Sequence, residues 1–403
     1  MIKEDLDFYE KYGIRKIINA TGTMTSLGGS CVSNDVIEEV SNALSKWVEI
    51  DLLQKKASQI IAEVTDAEAG FVTACAAAGI TIGVAACMTG KNIGKVVQLP
   101  DTKGMKNEVI LQKGHSINFG ANVSQMIRLS GAKCIEFGSL NGTSGLEMRG
   151  VISENTAAAI YVVSHHTSQY GMVPFTQFLE IAHENEIPVI VDAASEYSFA
   201  NFISRGADLV TCSGHKFLFG PTSGLIAGKK DLIEACHLNN SGIGRTMKVG
   251  KEGIVGLIAA LEVWKNRDLE REHEETYIKA KKVCDQLEKV NGISAVPIED
   301  PTGNPITRVQ VNVNTKEAGI DAFILANELK EAKTPIITRS HHVEEGYFQL
   351  DMCFINDNDI DYICTEIKTV LNKSQDEKDN LWNKYIPRIA LWDSLMSQYQ
   401  HKK

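Results

Sequence analysis

One lysine of the sequence stands where its neighbours can turn it into a nucleophile. Lys216 follows a run typical of a buried strand, in the segment Thr211-Cys-Ser-Gly-His-Lys216-Phe-Leu-Phe-Gly-Pro-Thr-Ser-Gly224. Burial at a strand end lowers the pKa of a lysine, and the neutral amine can then form a Schiff base. Most lysines are solvated surface residues, so the alternative for Lys216 taken alone is an ordinary surface position.

A carboxylate precedes this lysine by 24 residues (216 minus 192). Asp192 follows the apolar run Pro188-Val-Ile-Val, and ligands of open α/β sheets collect at the carboxyl ends of strands. An aspartate in that position can hold a pyridine nitrogen protonated, which a pyridoxal phosphate Schiff base requires. The alternative is that Asp192 caps a helix.

Two further segments place polar groups directly after predicted strands. In Thr73-Ala-Cys75-Ala-Ala-Ala-Gly79 a strand turns into a helix of small residues, whose first N–H groups can receive a phosphate. Tight helix packing would favour the same residues. Lys113-Gly-His115 follows the strand that ends at Gln112, and the His115 imidazole can stack on a flat cofactor ring or serve as a structural histidine.

The periodicity between residues 35 and 265 predicts the scaffold for these segments. Short β-branched runs alternate with amphipathic or Ala-rich stretches, which is typical of a parallel sheet covered by helices. Candidate strands lie at 70–73, 108–112, 133–137, 158–163, 188–191, 209–212 and 223–227. The helices between them include 76–88, 121–130, 175–184 and 231–238.

The pattern changes beyond residue 250. A long charged helix is predicted over 251–280, because Ile254, Leu257, Ile258 and Leu261 recur at i, i+3, i+4 spacing. A smaller α/β unit follows, with strands near 307–313 and 348–352, helices near 320–331 and 358–371, and a terminal helix over 381–399. We expect the long helix to bridge two domains.

Composition and charge exclude several classes of protein. The 403 residues are 43% hydrophobic and 23% charged, unlike a disordered or fibrous chain. Acidic residues outnumber basic ones by 51 to 41, and the net charge of −10 argues against a nucleic-acid partner. Apolar runs fall short of the ~20 residues that span a bilayer, and residues 1–10 lack the core of a secretory signal. We therefore expect a cytoplasmic protein with no membrane partner.

The nine cysteines give no sign of a disulfide framework or a metal site. They are odd in number, scattered along the chain, and form no Cys-x-x-Cys pair. We expect reduced and mostly buried thiols, with no bound metal.

Several further segments complete a pattern that is known from one family. They are Ile17-Ile-Asn19-Ala-Thr21-Gly22-Thr, Leu27-Gly28-Gly29-Ser30, Ser164-His-His166 and Gly242-Ile-Gly-Arg245-Thr-Met-Lys248-Val-Gly-Lys-Glu252. With the lysine, aspartate and strand-end segments above, the sequence resembles fold-type I pyridoxal phosphate enzymes of the aminotransferase class V group. Within that group it is similar to the branch of bacterial selenocysteine synthase and D-glucosaminate-6-phosphate ammonia-lyase, over nearly the whole chain.

The resemblance implies an α/β fold of the type I pyridoxal phosphate transferases. A large domain would hold a mostly parallel seven-stranded sheet, and a smaller α/β domain would lie at the C-terminus. We assign residues 1–33 to an N-terminal arm that packs with the small domain, 34–265 to the large cofactor-binding domain, and 266–403 to the small domain.

The resemblance also implies how the cofactor, pyridoxal 5′-phosphate, is held. Lys216 would carry it as a Schiff base, Asp192 would pair with the pyridine nitrogen, and His115 would lie over the ring.

The cofactor's phosphate would be bound by the backbone of Cys75 and Ala76 and by Ser213. Thr222 would reach the phosphate of the neighbouring subunit, so the site would be complete only in a homodimer or a higher oligomer. Related sequences often have Ser-Gly-Ala where this chain has Ala74-Cys75-Ala76, and the tighter sterics could shift the phosphate.

The implied reaction is the elimination of a β-hydroxyl from an amino acid or amino-sugar acid, such as D-glucosaminate 6-phosphate, to give a 2-oxo acid and ammonia. Lys216 would take the α-proton. Arg339 is the first choice for the substrate carboxylate, because a guanidinium matches a carboxylate, with a surface ion pair as the alternative. Arg245 and Lys248 are further cationic candidates, for a substrate phosphate.

His165 and His166 follow a predicted strand and are candidates for a cofactor contact or for the acid that protonates the departing hydroxyl. We include His166 among the catalytic residues, with a structural hydrogen-bonded pair as the alternative.

Three other functions are open from the sequence. A carbon–sulfur lyase or desulfurase needs a mobile nucleophilic cysteine, for which Cys353 is the candidate, although its apolar neighbours favour a buried strand position. A tRNA-dependent selenium transferase needs a basic surface that the net charge disfavours. A cofactor-binding protein without catalysis is disfavoured by the intact Lys216 and Asp192.

Overall fold

The computed structural model describes residues 7–385, which form two compact units. The larger unit spans residues 23–267, and the smaller one combines residues 7–22 with 268–385. Residues 23–33, which the sequence division gave to the N-terminal arm, lie in the larger unit. The rest of the predicted terminal helix, residues 386–399, lies outside the described residues.

Strands and helices alternate along much of the chain. The strands are β1 (Ile18–Ala20), β2 (Ala69–Thr73), β3 (Glu108–Gln112), β4 (Lys133–Phe137), β5 (Thr156–Val162), β6 (Val189–Asp192), β7 (Leu209–Ser213), β8 (Gly224–Gly228), β9 (Ile293–Glu299), β10 (Thr307–Val313), β11 (Ile336–Thr338) and β12 (Tyr347–Asp351). The helices are α1 (Phe8–Tyr12), α2 (Asn34–Leu44), α3 (Ile50–Thr65), α4 (Ala76–Thr89), α5 (Ile93–Gln98), α6 (Val123–Leu129), α7 (Gly145–Val151), α8 (Phe175–Glu184), α9 (Asn201–Ser204), α10 (Lys230–Asn240), α11 (Lys251–Lys265), α12 (Leu269–Leu287), α13 (Thr315–Ala318), α14 (Ala322–Lys330), α15 (Asp357–Leu371) and α16 (Gln375–Tyr385).

The larger unit is built on a seven-stranded sheet in the order β2-β8-β7-β6-β5-β3-β4. The strands from β7 to β4 run parallel to one another, and β8 runs antiparallel to both of its neighbours, β2 and β7. This arrangement confirms the predicted mostly parallel sheet. It also brings the carboxyl ends of β7, β6, β5 and β3 to one edge, where the candidate residues follow the strands.

Helix α4 lies close against the sheet because its residues are small. A Cβ atom added at Gly79 would come within 2.2 Å of the Thr211 side-chain oxygen on β7. All but two of the residues of α4 are buried, as its almost uniformly apolar sequence requires. The first turn of α4 is thereby fixed beside the carboxyl ends of the central strands.

The smaller unit contains a three-stranded antiparallel sheet, β12-β10-β9, and the parallel pair β1-β11. Strands β10 and β12 agree with the predicted ones. Strand β9 was not predicted, since its residues are mostly exposed, it contains Pro297, and its apolar residues do not form a buried run.

The single long helix predicted over 251–280 is wrong. The structure has two helices there, because α11 ends at Lys265 with Asn266 as its C-cap and α12 begins at Leu269. The Asp268 side chain accepts a hydrogen bond from the Arg271 N–H at 3.0 Å and so caps the second helix. The boundary between the two units falls at this break.

Among residues 7–385, none of the helices is both long and apolar enough to cross a membrane. Nor do these residues hold a group of three or more histidine, cysteine or acidic side chains arranged for a metal ion.

Candidate active site

Adjacent strand ends bring Asp192 and Lys216 to the same edge of the large sheet. Asp192 is the last residue of β6 and pairs in register with Thr211 of β7. Strand β7 ends at Ser213, and Lys216 lies in the turn that follows. The two charged groups are close enough for each to shift the pKa of the other.

Lys216 is held in a setting that favours its neutral amine. Its Nζ donates a hydrogen bond to the Ser195 hydroxyl at 2.5 Å. Burial lowers the pKa of Lys216, and this effect exceeds the opposing attraction of Asp192 and Glu196. A larger fraction of the amine is therefore uncharged at neutral pH than in an ordinary lysine.

Asp192 is also shifted toward its neutral form. Only 5% of the residue is exposed, and burial raises its pKa to about 6 against the opposing effects of Lys216 and of the Ala194 N–H, which donates to Oδ1 at 3.2 Å. The carboxylate is thus ionised at neutral pH, in the state that can pair with a protonated pyridine nitrogen.

Two residues that follow this aspartate by three and four positions were missed by the sequence reasoning. Ser195 accepts the Lys216 hydrogen bond, and Glu196 is 2% exposed with a charge that raises the pKa of Lys216. The one available signal was the sequence Asp-Ala-Ala-Ser-Glu itself, in which small and polar residues continue an otherwise apolar run. A buried acid four residues after Asp192 adds negative charge around the amine.

His215 was also missed, although it precedes the lysine. The residue is 7% exposed, and neither ring nitrogen makes a hydrogen bond to another described residue. Burial lowers the pKa of the ring, and the nearby Ser223 backbone opposes this shift without reaching hydrogen-bond geometry. The loop carrying Gly29 and Ser30 covers it: Ser30 donates to the His215 carbonyl at 2.9 Å, and a Cβ at Gly29, whose φ is +83°, would overlap the ring.

His115 lies two strands away from Asp192, at the end of β3. Its Nδ1 accepts the Val162 N–H at 3.0 Å, its edge packs against Tyr161, and Gln112 bonds to the ring. Burial lowers the pKa of His115 to about 3. The ring is therefore neutral in the physiological range, and it can offer an aromatic surface but not a cationic acid. Its predicted place over the cofactor ring stays a prediction.

The residues predicted for the cofactor's phosphate lie at the start of α4 and nearby. Cys75 is the N-cap, where its Sγ accepts the Ala78 N–H at 3.4 Å and its carbonyl accepts the Thr73 hydroxyl at 2.9 Å. Ala76 opens the helix, and Ser213 is buried at the end of β7. Thr222 is exposed in the loop before β8.

His165 and His166 form a contacting pair after β5, with ring centroids 3.9 Å apart. His166 is the more exposed of the two and lines a cavity together with Lys113 and Ser168. The choice between them as an acid therefore remains a prediction.

The predicted substrate cations are placed in different settings. Arg245 and Lys248 are exposed, within and just after a short 3-10 helix (Ile243–Met247). Arg339 belongs to the smaller unit, is 8% exposed, and donates from Nη1 to the Thr21 carbonyl at 2.9 Å. Burial and the neighbouring Arg308 lower the pKa of Arg339. Their roles toward a substrate stay predictions.

Cys353, the candidate for a desulfurase nucleophile, lies in the turn just after β12 rather than within a strand. Burial and the neighbouring Asp351 raise the pKa of its thiol well above the usual value. The thiolate that such chemistry needs is therefore disfavoured.

The residues present fit pyridoxal phosphate. A half-buried amine with a lowered pKa can form the Schiff base, and a buried, ionised Asp192 on the neighbouring strand can pair with the ring nitrogen. The unsatisfied ring nitrogens of His215 and the first turn of α4 supply polar groups for an anionic substituent.

Comparisons with known proteins agree with this chemistry. The model of the family described as L-seryl-tRNA selenium transferase (SelA) matches residues 17–356. A D-glucosaminate-6-phosphate ammonia lyase of Salmonella typhimurium is 36% identical over 92% of this chain and 99% of its own length. A 5′-C-glycyluridine monooxygenase-decarboxylase of a Streptomyces species is 37% identical over 85% of this chain and 86% of its own.

A solved structure of a D-glucosaminate-6-phosphate ammonia-lyase also resembles the chain, with a TM-score of 0.82 and 36% identity. The likeness covers 91% of this chain and 98% of that one. The similarity in sequence thus extends to the fold over nearly the full length of both proteins.

Proposed function

This chain belongs to the family described as L-seryl-tRNA selenium transferase (SelA), and we propose that within it the chain acts as an ammonia-lyase on a hydroxylated amino acid. It is a fold-type I enzyme that depends on pyridoxal phosphate. One observation carries the proposal: a D-glucosaminate-6-phosphate ammonia lyase is 36% identical over almost its whole length. The half-buried Lys216 and the buried Asp192 are the groups that the reaction needs. D-Glucosaminate 6-phosphate is the substrate we propose.

Lys216 and Asp192 divide the proton chemistry between them. When bound, the cofactor supplies an electron sink that acidifies the α-hydrogen of an amino acid and lets a β-substituent depart. Asp192, ionised above about pH 6, holds a proton on the pyridine nitrogen. Lys216 Nζ, with its lowered pKa, takes the α-proton, and Ser195 holds the amine in place through its hydroxyl.

A second proton is needed at the departing hydroxyl. His166, exposed beside its neighbour His165 at the end of β5, is the acid we assign to this step. His115 is a poor alternative, because its pKa of about 3 leaves no proton to give at neutral pH.

We assign the second subunit of a homodimer to the exposed apolar surface between α2 and α3. Leu44, Trp47, Val48 and Leu52 are each more than 40% exposed, and Trp47 is fully exposed. Patches of this kind mark interaction sites. Lys251 fixes the turn by donating to the Leu44 carbonyl at 2.9 Å. In such a dimer, the exposed Thr222 would contact the cofactor phosphate of the neighbouring subunit.

The dimer has a simple test in solution. Sedimentation of the purified protein should give twice the chain mass, and Trp47→Glu should shift it toward the monomer. An unchanged mass in the variant would remove this surface from the interface.

The activity is tested with pure, cofactor-loaded protein and D-glucosaminate 6-phosphate. Ammonia and a 2-oxo acid should appear in equal amounts. Substrate that is left unchanged by protein with bound cofactor would reject the proposed reaction.

The same incubation separates the related chemistries. The Streptomyces relative is named as a monooxygenase-decarboxylase, so oxygen uptake and released carbon dioxide are measured beside ammonia. Oxygen-dependent turnover without ammonia would place this chain with that relative. The selenium transferase activity is tested by gel retardation of seryl-tRNA, which we expect to fail because the chain carries a net charge of −10.

A further inference from the structure

A cavity of about 510 Å³ opens at the carboxyl ends of β3 and β5 in the larger unit. Its lining includes Lys113, Ser116, Asn118, His166 and Ser168. Neither Asp192 nor Lys216 is among the lining residues, so the cavity is a separate part of the same sheet edge. Its volume lies within the range of sites that hold small-molecule ligands.

The hydroxyl groups around this cavity already donate to protein acceptors. Ser116 donates to the Glu136 carboxylate at 2.5 Å. Ser168 is within 3.0 Å of the Leu140 carbonyl oxygen, and Thr167 donates to the Ser164 carbonyl at 2.7 Å. Their hydrogens are therefore not the groups that would recognise a ligand.

The remaining polar groups are nitrogen donors. Lys113 is exposed, and among residues 7–385 its ammonium forms no hydrogen bond or ion pair. Asn118 accepts the Gly120 N–H at its Oδ1 at 2.9 Å, which leaves its NH₂ group to donate. Such a set suits an anion with several oxygen acceptors.

Two carboxylates stand near these donors, and both have partners. Glu136 accepts the Ser116 hydroxyl, and Glu147 accepts the Ser144 N–H and hydroxyl at 2.8 and 2.9 Å in a capping box. Hydrogen bonds from Ser144 lower the pKa of Glu147, with a lesser effect from the charge of Lys113. The charge of Lys113 therefore interacts with that of Glu147, but no hydrogen bond or ion pair joins the two side chains among the described residues.

The distance from the cavity to Asp192 sets a lower bound on the length of the ligand, because Lys216, the reacting amine, follows β7 on the far side of β6. The Ser168 N–H donates to Gly114 of the β3 loop at 3.0 Å, and the next residue, His115, accepts the Val162 N–H of β5 at 3.0 Å. Val162 pairs in register with Asp192 of β6. Two strand spacings, roughly 10 Å, thus separate the end of β3 from the end of β6.

We propose that this cavity binds a phosphate monoester carried at the far end of the substrate, with Lys113 as its main ligand. The inference rests on the proposed lyase function and narrows its substrate class. An amino acid that reacts above β6 must be several carbons long to place its phosphate at the cavity, which excludes serine and phosphoserine. A sugar acid phosphorylated at its last carbon has the required length.

The test measures binding, not turnover. Isothermal titration of the cofactor-loaded, full-length protein uses three probes without an amino group: 6-phosphogluconate, gluconate and inorganic phosphate. Lys113→Met should weaken the binding of 6-phosphogluconate roughly 10- to 100-fold, as expected for the loss of a charge-assisted contact. The affinity for gluconate should not change. Lys113→Arg keeps the charge and should retain most of the affinity.

Lys106→Met is the matched control, because Lys106 is exposed just before β3 starts and so lies at the opposite end of that strand. It should bind all three probes like the unmodified protein. If Lys113→Met leaves 6-phosphogluconate binding intact, or weakens gluconate equally, the proposal falls. Inorganic phosphate that binds as tightly as 6-phosphogluconate would also overturn it, because the site would then serve the free ion.

Failure of the site and failure of the lyase function are distinguishable. Lys113-dependent binding of 6-phosphogluconate without ammonia release would keep the phosphate site and reject the reaction. Ammonia release at equal KM from D-glucosaminate and its 6-phosphate, in protein with and without Lys113, would keep the reaction and reject the site.

Discussion

Each of the two units buries a cluster of charges, and the two clusters are organised in opposite ways. In the larger unit, burial moves Asp192 and Lys216 toward their neutral forms, raising the pKa of the acid and lowering that of the base. In the smaller unit, Arg308 bonds to Asp300 at 2.6 Å and to Asp351 at 2.9 Å. That arginine is held between two carboxylates.

The second cluster keeps its charges. Burial alone would raise the pKa of Asp300, but Arg308 and the hydrogen bonds from Thr302 bring it below the usual value. Burial likewise opposes the charge of Arg308, yet Asp351 and Asp300 raise the pKa of its guanidinium. Direct ion pairs thus outweigh burial in the smaller unit, and burial outweighs attraction in the larger one.

This difference distinguishes a cluster suited to proton transfer from a cluster that stabilises the fold. Groups whose pKa is shifted toward the neutral form can give or take a proton at moderate cost, as catalysis requires. Groups locked in direct ion pairs can do neither, and removing one partner leaves an uncompensated buried charge. Charge-removing substitutions in the two clusters should therefore have opposite consequences.

The largest effect is expected in the reactive cluster. Asp192→Asn should lower lyase turnover at least ~10³-fold, because a neutral amide cannot stabilise the protonated ring nitrogen. Thermal unfolding of the cofactor-free variant should be unchanged or occur at a higher temperature, since a buried carboxylate is removed. A large loss of stability with retained turnover would reverse the assignment of this cluster.

In the smaller unit, stability should change most. Arg308→Met should destabilise the fold by about 3–5 kcal/mol, because Asp300 and Asp351 would then be buried without their cation. Calorimetry or a denaturant titration measures the change. Lys282→Ala is the control: it breaks an exposed 2.7 Å pair with Asp357 and should cost at most ~1 kcal/mol. Equal losses of stability in both variants would mean that the buried ion pairs stabilise the fold no more than the exposed pair does.

The pH dependence of stability should also distinguish the clusters. Asp192 holds its proton up to about pH 6, but the unfolded chain releases it near 3.8. The cofactor-free protein should therefore lose stability, by at most about 3 kcal/mol, as the pH rises through this window. Asp300 has a pKa below 3.8, so the stability that it contributes is lost only as the pH falls below that value. A flat difference between the unmodified protein and Asp192→Asn from pH 4 to 6 would contradict the raised pKa.

The smallest effect is expected at Cys353. Its half-buried thiol has a raised pKa, so Cys353→Ser should leave lyase turnover unchanged. Mass spectrometry after brief alkylation should find the exposed Cys31 modified before Cys353. Loss of turnover in the serine variant, or early alkylation of Cys353, would revive the desulfurase alternative.

Sequence reasoning recovered the sheet because periodicity and strand-end residues are local signals. The apolar runs predicted all seven strands around Asp192 and Lys216, and the small residues after Thr73 predicted where α4 begins. The break between α11 and α12 was missed, because the helical spacing of the apolar residues in α11 gives no sign that Asp268 caps a second helix. Periodicity reports which face is buried but not where a polar side chain stops a helix.

The neighbours of Lys216 could not be predicted in the same way. Ser195, Glu196 and His215 have no pattern of their own, and their burial depends on how the strand-end loops fold back over the sheet. The same applies to Arg308, a charged residue in a strand, whose two carboxylate partners lie on other segments of the chain. Only tertiary structure reveals which charges are paired.

The central claim, that Lys216 bears the cofactor, has a direct chemical test. Borohydride reduction of the cofactor-loaded protein fixes the Schiff base irreversibly, and peptide mapping by mass spectrometry then locates the pyridoxyl group. The account predicts that the label lies on Lys216 and is absent from Lys216→Ala. A label on another lysine, or labelling and turnover that survive in the alanine variant, would contradict it.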